Sequence, residues 1–125
     1  MAKHHSPGFL ALVEDAKKRV REISPAELKH RLDNGEKFHL VDVRESEEWA
    51  AGHLPCAQHF SKGIIERDIE TAIPDPNAEI VLYCGGGFRS ALSADNLQKM
   101  GYKRVSSLAG GWRGWTEAGL PTEKT

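Results

Sequence analysis

The chain reads as an α/β protein with a mainly parallel sheet covered on both faces, and three observations predict it. Strand-like apolar runs at 20–23, 38–43, 79–83 and 105–108 alternate with helix-like segments, the pattern of crossover connections rather than hairpins. Turn signals separate them, as at Asn34-Gly35, Pro74-Asp75-Pro76-Asn77 and Gly101. The run Ile80-Val81-Leu82 has no polar interruption, as a strand buried on both faces requires.

Each element has a local reason. Residues 1–7 are polar and expected to fray; His4-His5 sits there and is read as inert, with no metal expected. Residues 9–18 place Phe9, Leu10, Val13 and Ala16 on one helical face. Val20-Arg21-Glu22-Ile23 is a short strand. Ser24-Pro25-Ala26-Glu27 starts a helix, with Ser24 as cap, Pro25 at the first helical position and Glu27 closing a capping box. That helix should run to Asp33 and stop at Asn34-Gly35. The second strand is Phe38-His39-Leu40-Val41-Asp42-Val43, and Ser46 opens a short helix ending near Gly52. Residues 60–72 read as mixed loop and helix. After the strand at 79–83, residues 90–100 form a helix that buries Ala91, Ala94, Leu97 and Met100. Val105-Ser106-Ser107-Leu108 is the last strand, and 112–118 a final helical segment.

A length of 125 residues suits one compact domain and not two. With 39% hydrophobic and 28% charged residues and a net charge of −1, the composition is that of a soluble globular chain, not a nucleic-acid or acidic-membrane binder. The apolar stretch Phe9-Leu10-Ala11-Leu12-Val13 is too short for a membrane span or a signal-peptide core. The default compartment is therefore the cytosol, where thiols stay reduced. Cys56 and Cys84 form neither a CxxC pair nor a zinc pattern.

The segment Tyr83-Cys84-Gly85-Gly86-Gly87-Phe88-Arg89-Ser90 carries the chemistry. It puts a cysteine at the carboxyl end of a strand, at the start of a helix. Unpaired N–H groups and the positive end of the helix dipole stabilise an anion there, so Cys84 is the candidate nucleophile. In parallel sheets the reactive loops gather beyond the carboxyl ends of the strands, which also brings in Asp42-Val43-Arg44 and Gly110-Gly111. Glycine at 85, 86 and 87 is expected to permit the unusual backbone angles and close approach that a tight curl needs. Arg89 has two readings: an electrostatic partner for the thiolate and an anionic donor, or a structural arginine paired with Asp42 or Glu45. Arg44 is read as holding loops together, and Lys62 and Arg67 as charge at the rim. His53 is read as packing and hydrogen-bonding, and Trp49, Trp112 and Trp115 as core or rim aromatics. Cys56 is a remote candidate for a resolving thiol.

With those residues in view the chain resembles the rhodanese domain, and specifically the single-domain rhodanese-like sulfurtransferases. The matching pieces are Leu40-Val41-Asp42-Val43-Arg44 with Glu48-Trp49, Gly52-His53-Leu54-Pro55 with Ala57, Ile80-Val81-Leu82-Tyr83-Cys84 with Gly87, Arg89 and Ser90, Gly101-Tyr102, and Leu108-Ala109-Gly110-Gly111 with Trp115. The resemblance divides the chain into an N-terminal segment with a helix (1–19), the domain (20–121) and a tail (122–125). It implies a three-layer α/β/α fold with about five strands and ping-pong transfer of sulfane sulfur. Cys84 matches the persulfide-bearing cysteine, and Gly85, Gly86, Gly87, Phe88, Arg89 and Ser90 match the loop that binds the substrate sulfur. Cys56 stands where the family usually has glycine and inherits no role.

The implied activity needs no cofactor. It takes sulfur from a small anionic donor such as thiosulfate and delivers it to a thiol, to cyanide or to a protein relay partner. Two rivals stand beside it. Protein tyrosine phosphatases, and phosphatases that share this fold, use Cys-x5-Arg around phosphate, whereas Cys84 to Arg89 is Cys-x4-Arg. One residue fewer removes about 3.8 Å of ring contour, which suits one sulfur atom better than a tetrahedral oxyanion. A catalytically idle interaction module is the other rival, but such modules usually lack the loop cysteine.

Overall fold

The computed structural model describes residues 5–124; the expected fraying of the first four residues, and His4 of the His4-His5 pair, lie outside it. Helix α1 (Pro7–Lys17) leads into β1 (Arg21–Ile23), α2 (Pro25–Asp33), β2 (His39–Asp42), α3 (Ser46–Ala51) and β3 (Ala57–His59). Then come α4 (Ile65–Ala72), β4 (Glu79–Tyr83), α5 (Phe88–Lys99), β5 (Arg104–Leu108) and α6 (Gly111–Glu117). All four strand pairings are parallel, in the order β1-β5-β4-β2-β3.

β4 is the central strand, and its unbroken apolar run alternates between two cores. Ile80, Leu82 and Cys84 face a cluster with Ile65, Ile69, Ala94 and Leu97 from α4 and α5. Val81 and Tyr83 face Leu28, Leu54, Leu108 and Trp115, on the side of α2 and α6. Helices therefore cover both faces, and the architecture is α/β/α with a five-stranded parallel sheet. Because β4 is central, the residue after it emerges in the middle of the carboxyl edge.

Several element starts differ from the sequence reading. The fifth strand, β3, was absent from it; three residues, none of them fully buried, give no run or alternation to detect. Ser24 does cap α2, accepting from the Glu27 N–H at 3.0 Å, but the Glu27 carboxylate lies 3.6 Å from Arg21 and no reciprocal box forms. The capping box belongs to α3, which starts at Ser46 as expected: Glu45 is its N-cap, and Glu48 reaches back to the Glu45 N–H at 2.9 Å. Helix α5 begins at Phe88, two residues before the expected Ser90.

The ends of the described chain are tied down. Helix α1 buries Val13 and Ala16, packs against α5, and Arg19 beyond it grips Asp95 of α5 at 2.8 and 2.9 Å. His5, expected to fray, packs edge-on against Phe88 with ring centroids 4.8 Å apart. In the tail, Glu123 and His53 exchange two backbone hydrogen bonds of 2.8 Å. No helix among the described residues is long and apolar enough to cross a membrane.

Candidate active site

Cys84 follows β4 directly and is 1% exposed. Its Sγ accepts the Gly87 N–H at 3.1 Å and faces the Ser90 hydroxyl at 3.5 Å. Ser90 in turn shares a 2.8 Å hydrogen bond with Ser107 of β5, so Ser107 can supply the proton that leaves Ser90 donating to sulfur. The amides of Phe88, Arg89 and Ser90 form the first turn of α5, where no carbonyl of the helix lies four residues back. That supply of donors and the helix dipole favour negative charge at the sulfur.

The curl is held from behind by α6. Its first turn donates Trp112 N–H to the Cys84 carbonyl at 2.7 Å and Arg113 N–H to the Gly85 carbonyl at 2.9 Å. A Cβ on Gly111, whose φ is +53°, would overlap the Cys84 carbonyl oxygen. Gly87 combines φ +95° with contacts of 3.2 Å to Gly110 N and 3.3 Å to Leu108 O. The expectation that all three loop glycines serve unusual backbone angles or close approach needs correction at Gly86. Gly85 keeps its φ out of the left-handed region and instead makes room for the Arg89 guanidinium, 3.1 Å from where a Cβ would stand, while a Cβ on Gly86 would meet nothing.

Arg89 pairs with neither Asp42 nor Glu45. Its Nη1 and Nη2 reach the two carboxylate oxygens of Glu48 at 3.0 and 3.2 Å. Arg89 holds the Glu48 carboxyl below the ordinary glutamate range; Arg89 is itself pushed up, first by that hydrogen bond and to a lesser degree by the charge of Cys84. Arg89 is thus ion-paired to a carboxylate, as the structural reading of it expected, but the partner is Glu48 and not Asp42 or Glu45. Glu48 entered the sequence reading only as part of a motif and with no role.

Arg44 does hold loops together. Its side chain binds Asp42 at 2.8–3.1 Å and the Gly52 carbonyl at 2.6 Å, and its guanidinium lies 4.5 Å from the Trp112 ring. His53 stacks on Trp49 with centroids 3.7 Å apart, a packing role. Burial pushes the Tyr83 hydroxyl pKa well up, leaving it a neutral partner for the Leu54 N–H at 3.0 Å. Lys62 and Arg67 do not line the site, and Arg67 pairs with Asp68 at 2.7 Å. Cys56 cannot resolve a persulfide on Cys84. It directly precedes Ala57, which the register places level with Val81, about 10 Å below Cys84 along the strands and two strands across, far beyond disulfide reach.

Above Cys84 opens a cavity of about 550 Å³. Glu45, Glu48, Arg89 and Arg113 line its polar part, Gly85 and Gly86 its floor, and His5, Phe9 and Phe88 an aromatic wall. The sequence reading gave His5, Phe9 and Arg113 no place in the site, because only the packing of α1 and α6 brings them to the cysteine loop.

A model of the rhodanese-like domain matches residues 24–118. The chain belongs to the rhodanese-like family. Among rhodanese-like relatives, a Bacillus subtilis putative sulfurtransferase, YtwF, is 38% identical over 96 residues, covering 77% of this chain and 90% of the relative. A second B. subtilis relative, the putative sulfur carrier protein YrkF, is 34% identical over 97 residues, covering 78% of this chain; the match spans only 51% of that longer protein. Among solved structures, a Rhodopseudomonas palustris protein of unknown function, described as a possible tyrosine phosphatase, superposes with a TM-score of 0.84 at 30% identity. That match covers 98% of this chain and 99% of the other, so it includes α1.

Proposed function

We propose that this rhodanese-like chain is a sulfurtransferase that carries sulfane sulfur as a persulfide on Cys84, taking it from thiosulfate or a related donor. The Cys84 thiolate attacks the outer sulfur of the donor. The donor S–S bond breaks, sulfite leaves with the bonding pair, and the sulfur gained by Cys84 carries the negative charge. A thiolate or cyanide then attacks that terminal sulfur and returns the Cys84 thiolate. Neither half-reaction needs a general base once both nucleophiles are ionised. The chain's share is to hold the anion by amide and hydroxyl donors.

The observation that carries this reading is the short curl itself. Cys84 Sγ sits inside it with Gly87 N–H at 3.1 Å, lining the cavity, under the first turn of a twelve-residue helix. The sulfurtransferase and sulfur-carrier names of the two B. subtilis relatives support it, and the second of those names supports a protein relay partner as donor or acceptor.

The phosphatase reading has one observation in its favour, the description of the R. palustris neighbour. Against it stand the Cys-x4-Arg spacing and the engagement of Arg89 with Glu48, which leaves no arginine free in the loop to clasp a phosphate. Sulfite release from thiosulfate, in parallel with aryl phosphate hydrolysis, tests both. Sulfite release by the wild type and none by Cys84→Ser is expected. Failure of every sulfur donor to load Cys84 would favour an idle interaction module, and turnover of the aryl phosphate a phosphatase.

A further inference from the structure

The cavity above Cys84 is much larger than the donor considered so far. Thiosulfate has five heavy atoms, whereas about 550 Å³ lies in the range of pockets that enclose organic ligands. Its charged groups are also unevenly engaged. Arg89 is balanced by Glu48, and the Glu45 side chain caps α3. Arg113 is exposed and lines the cavity; its side chain has no hydrogen bond or ion pair among the described residues.

Two of the three rings of the aromatic wall come from outside the matched domain, and the third, Phe88, from within it. Helix α1 precedes residue 24, where the family match starts. It brings His5 and Phe9 against Phe88 of the cysteine loop, with centroid separations of 5.2, 4.8 and 6.2 Å among the three rings. Lys17 sits 5.1 Å from the Phe88 ring centre and adds a cation–π contact. All three rings are half-buried and line the cavity rather than filling it. Three aromatic groups facing a pocket that also holds a nucleophile and an unpaired guanidinium match a substrate with an apolar body and an anionic group.

Resting on the sulfurtransferase reading, we propose that α1 completes the site as a subsite for the organic body of an anionic sulfane-sulfur donor, with Arg113 taking the charged group. For a thiosulfonate the step balances as for thiosulfate. The Cys84 thiolate attacks the terminal sulfur, the S–S bond breaks, and the sulfinate departs with the electron pair.

The test uses two probes with the same reacting group and charge, methanethiosulfonate and benzenethiosulfonate. Loading of Cys84 is followed by intact mass, and each rate is divided by that of the same probe with a free thiol. The phenyl probe is expected to load the wild type at least about ten-fold more efficiently than the methyl probe. Phe9→Ala should pull that ratio below about three. The ratio is its own folding control, since a misfolded variant loses both probes together; Phe9→Leu, which keeps an apolar contact on α5 but no ring, should give an intermediate ratio. Arg113→Gln should raise the half-saturating concentration of both probes about five-fold or more, and Arg113→Lys should restore much of it. Equal loading of the wild type by the two probes, a ratio indifferent to Phe9, or an unchanged half-saturation in Arg113→Gln overturns the proposal while leaving persulfide chemistry intact. Absence of loading by any donor defeats the sulfurtransferase reading itself.

Discussion

Arg89 holds Glu48 through both arms of its guanidinium, at 3.0 and 3.2 Å, so the cation of the cysteine loop enters the pocket already neutralised. Glu48→Gln removes the opposing charge and leaves Arg89 to act on the donor alone. The half-saturating concentration of thiosulfate is expected to fall about five-fold at low ionic strength, with the gain fading as salt is added. A rise instead would show that Glu48 is needed to aim Arg89 and that its charge is secondary.

The same pair gives a pH signature. Arg89 depresses the folded-state pKa of Glu48, so the pair stabilises the fold above the unfolded value of about 4.3. That contribution is lost as pH falls through the folded-state value. The two side chains are 31% and 35% exposed, and solvent screening limits the pair to at most about 1 kcal/mol. Thermal melts of wild type and Glu48→Gln should therefore differ slightly at neutral pH and converge below about pH 4. A difference that persists far into acid would mean that Glu48 acts by packing rather than by charge.

Two loop glycines separate steric need from mere presence. A methyl on Gly111 would meet the Cys84 carbonyl and press to 3.0 Å on Gly85 C and Gly87 N, at a φ of +53°. Overpacking of backbone on backbone costs about 1–3 kcal/mol, and the left-handed conformation about 1–2 more. Gly86 has open space and an ordinary φ, so Gly86→Ala should shift stability by no more than about 0.5 kcal/mol. Denaturant midpoints of Gly111→Ala and Gly86→Ala make the comparison, and equal losses would refute the part given to α6 in holding the curl.

How far the sequence disclosed the site follows from the kind of signal each residue gives. Cys84 and its loop were legible because strand, glycine run and helix are consecutive, so local pattern alone places them at the carboxyl edge. The four strand runs other than β3, and the α2 cap, were legible for the same reason. Glu48 was not, because its pairing with Arg89 spans 41 positions and a carboxylate in a short exposed-looking helix has many possible partners. His5 and Phe9 were hidden further, since neither a polar terminal histidine nor a phenylalanine on an apolar helical face shows that the helix will dock beside the cysteine loop. Strand β3 was missed because its pairing with β2, not its composition, makes it a strand.

The most buried charges in the molecule provide the severest test of the scaffold. Asp42 is 0% and Arg44 3% exposed. The Asp42 carboxylate accepts the Arg44 backbone N–H at 2.8 Å as well as the guanidinium. Arg44 passes the connection on to the Gly52 carbonyl, and its own carbonyl oxygen stands 2.8 Å from His59 Nε2, so one residue links β2, α3 and β3 at the carboxyl edge of the sheet. Asp42→Ala strands the guanidinium in the interior without its counter-charge, which costs about 3–5 kcal/mol. Arg44→Met, which keeps an apolar stem under Trp112, leaves the Asp42 carboxylate buried without its counter-charge and should lose a comparable amount. Urea melts of wild type, Asp42→Ala and Arg44→Met at neutral pH read both losses directly. A loss below about 1 kcal/mol in both variants would mean that water reaches the pair and that it is not the dry clasp the burial describes.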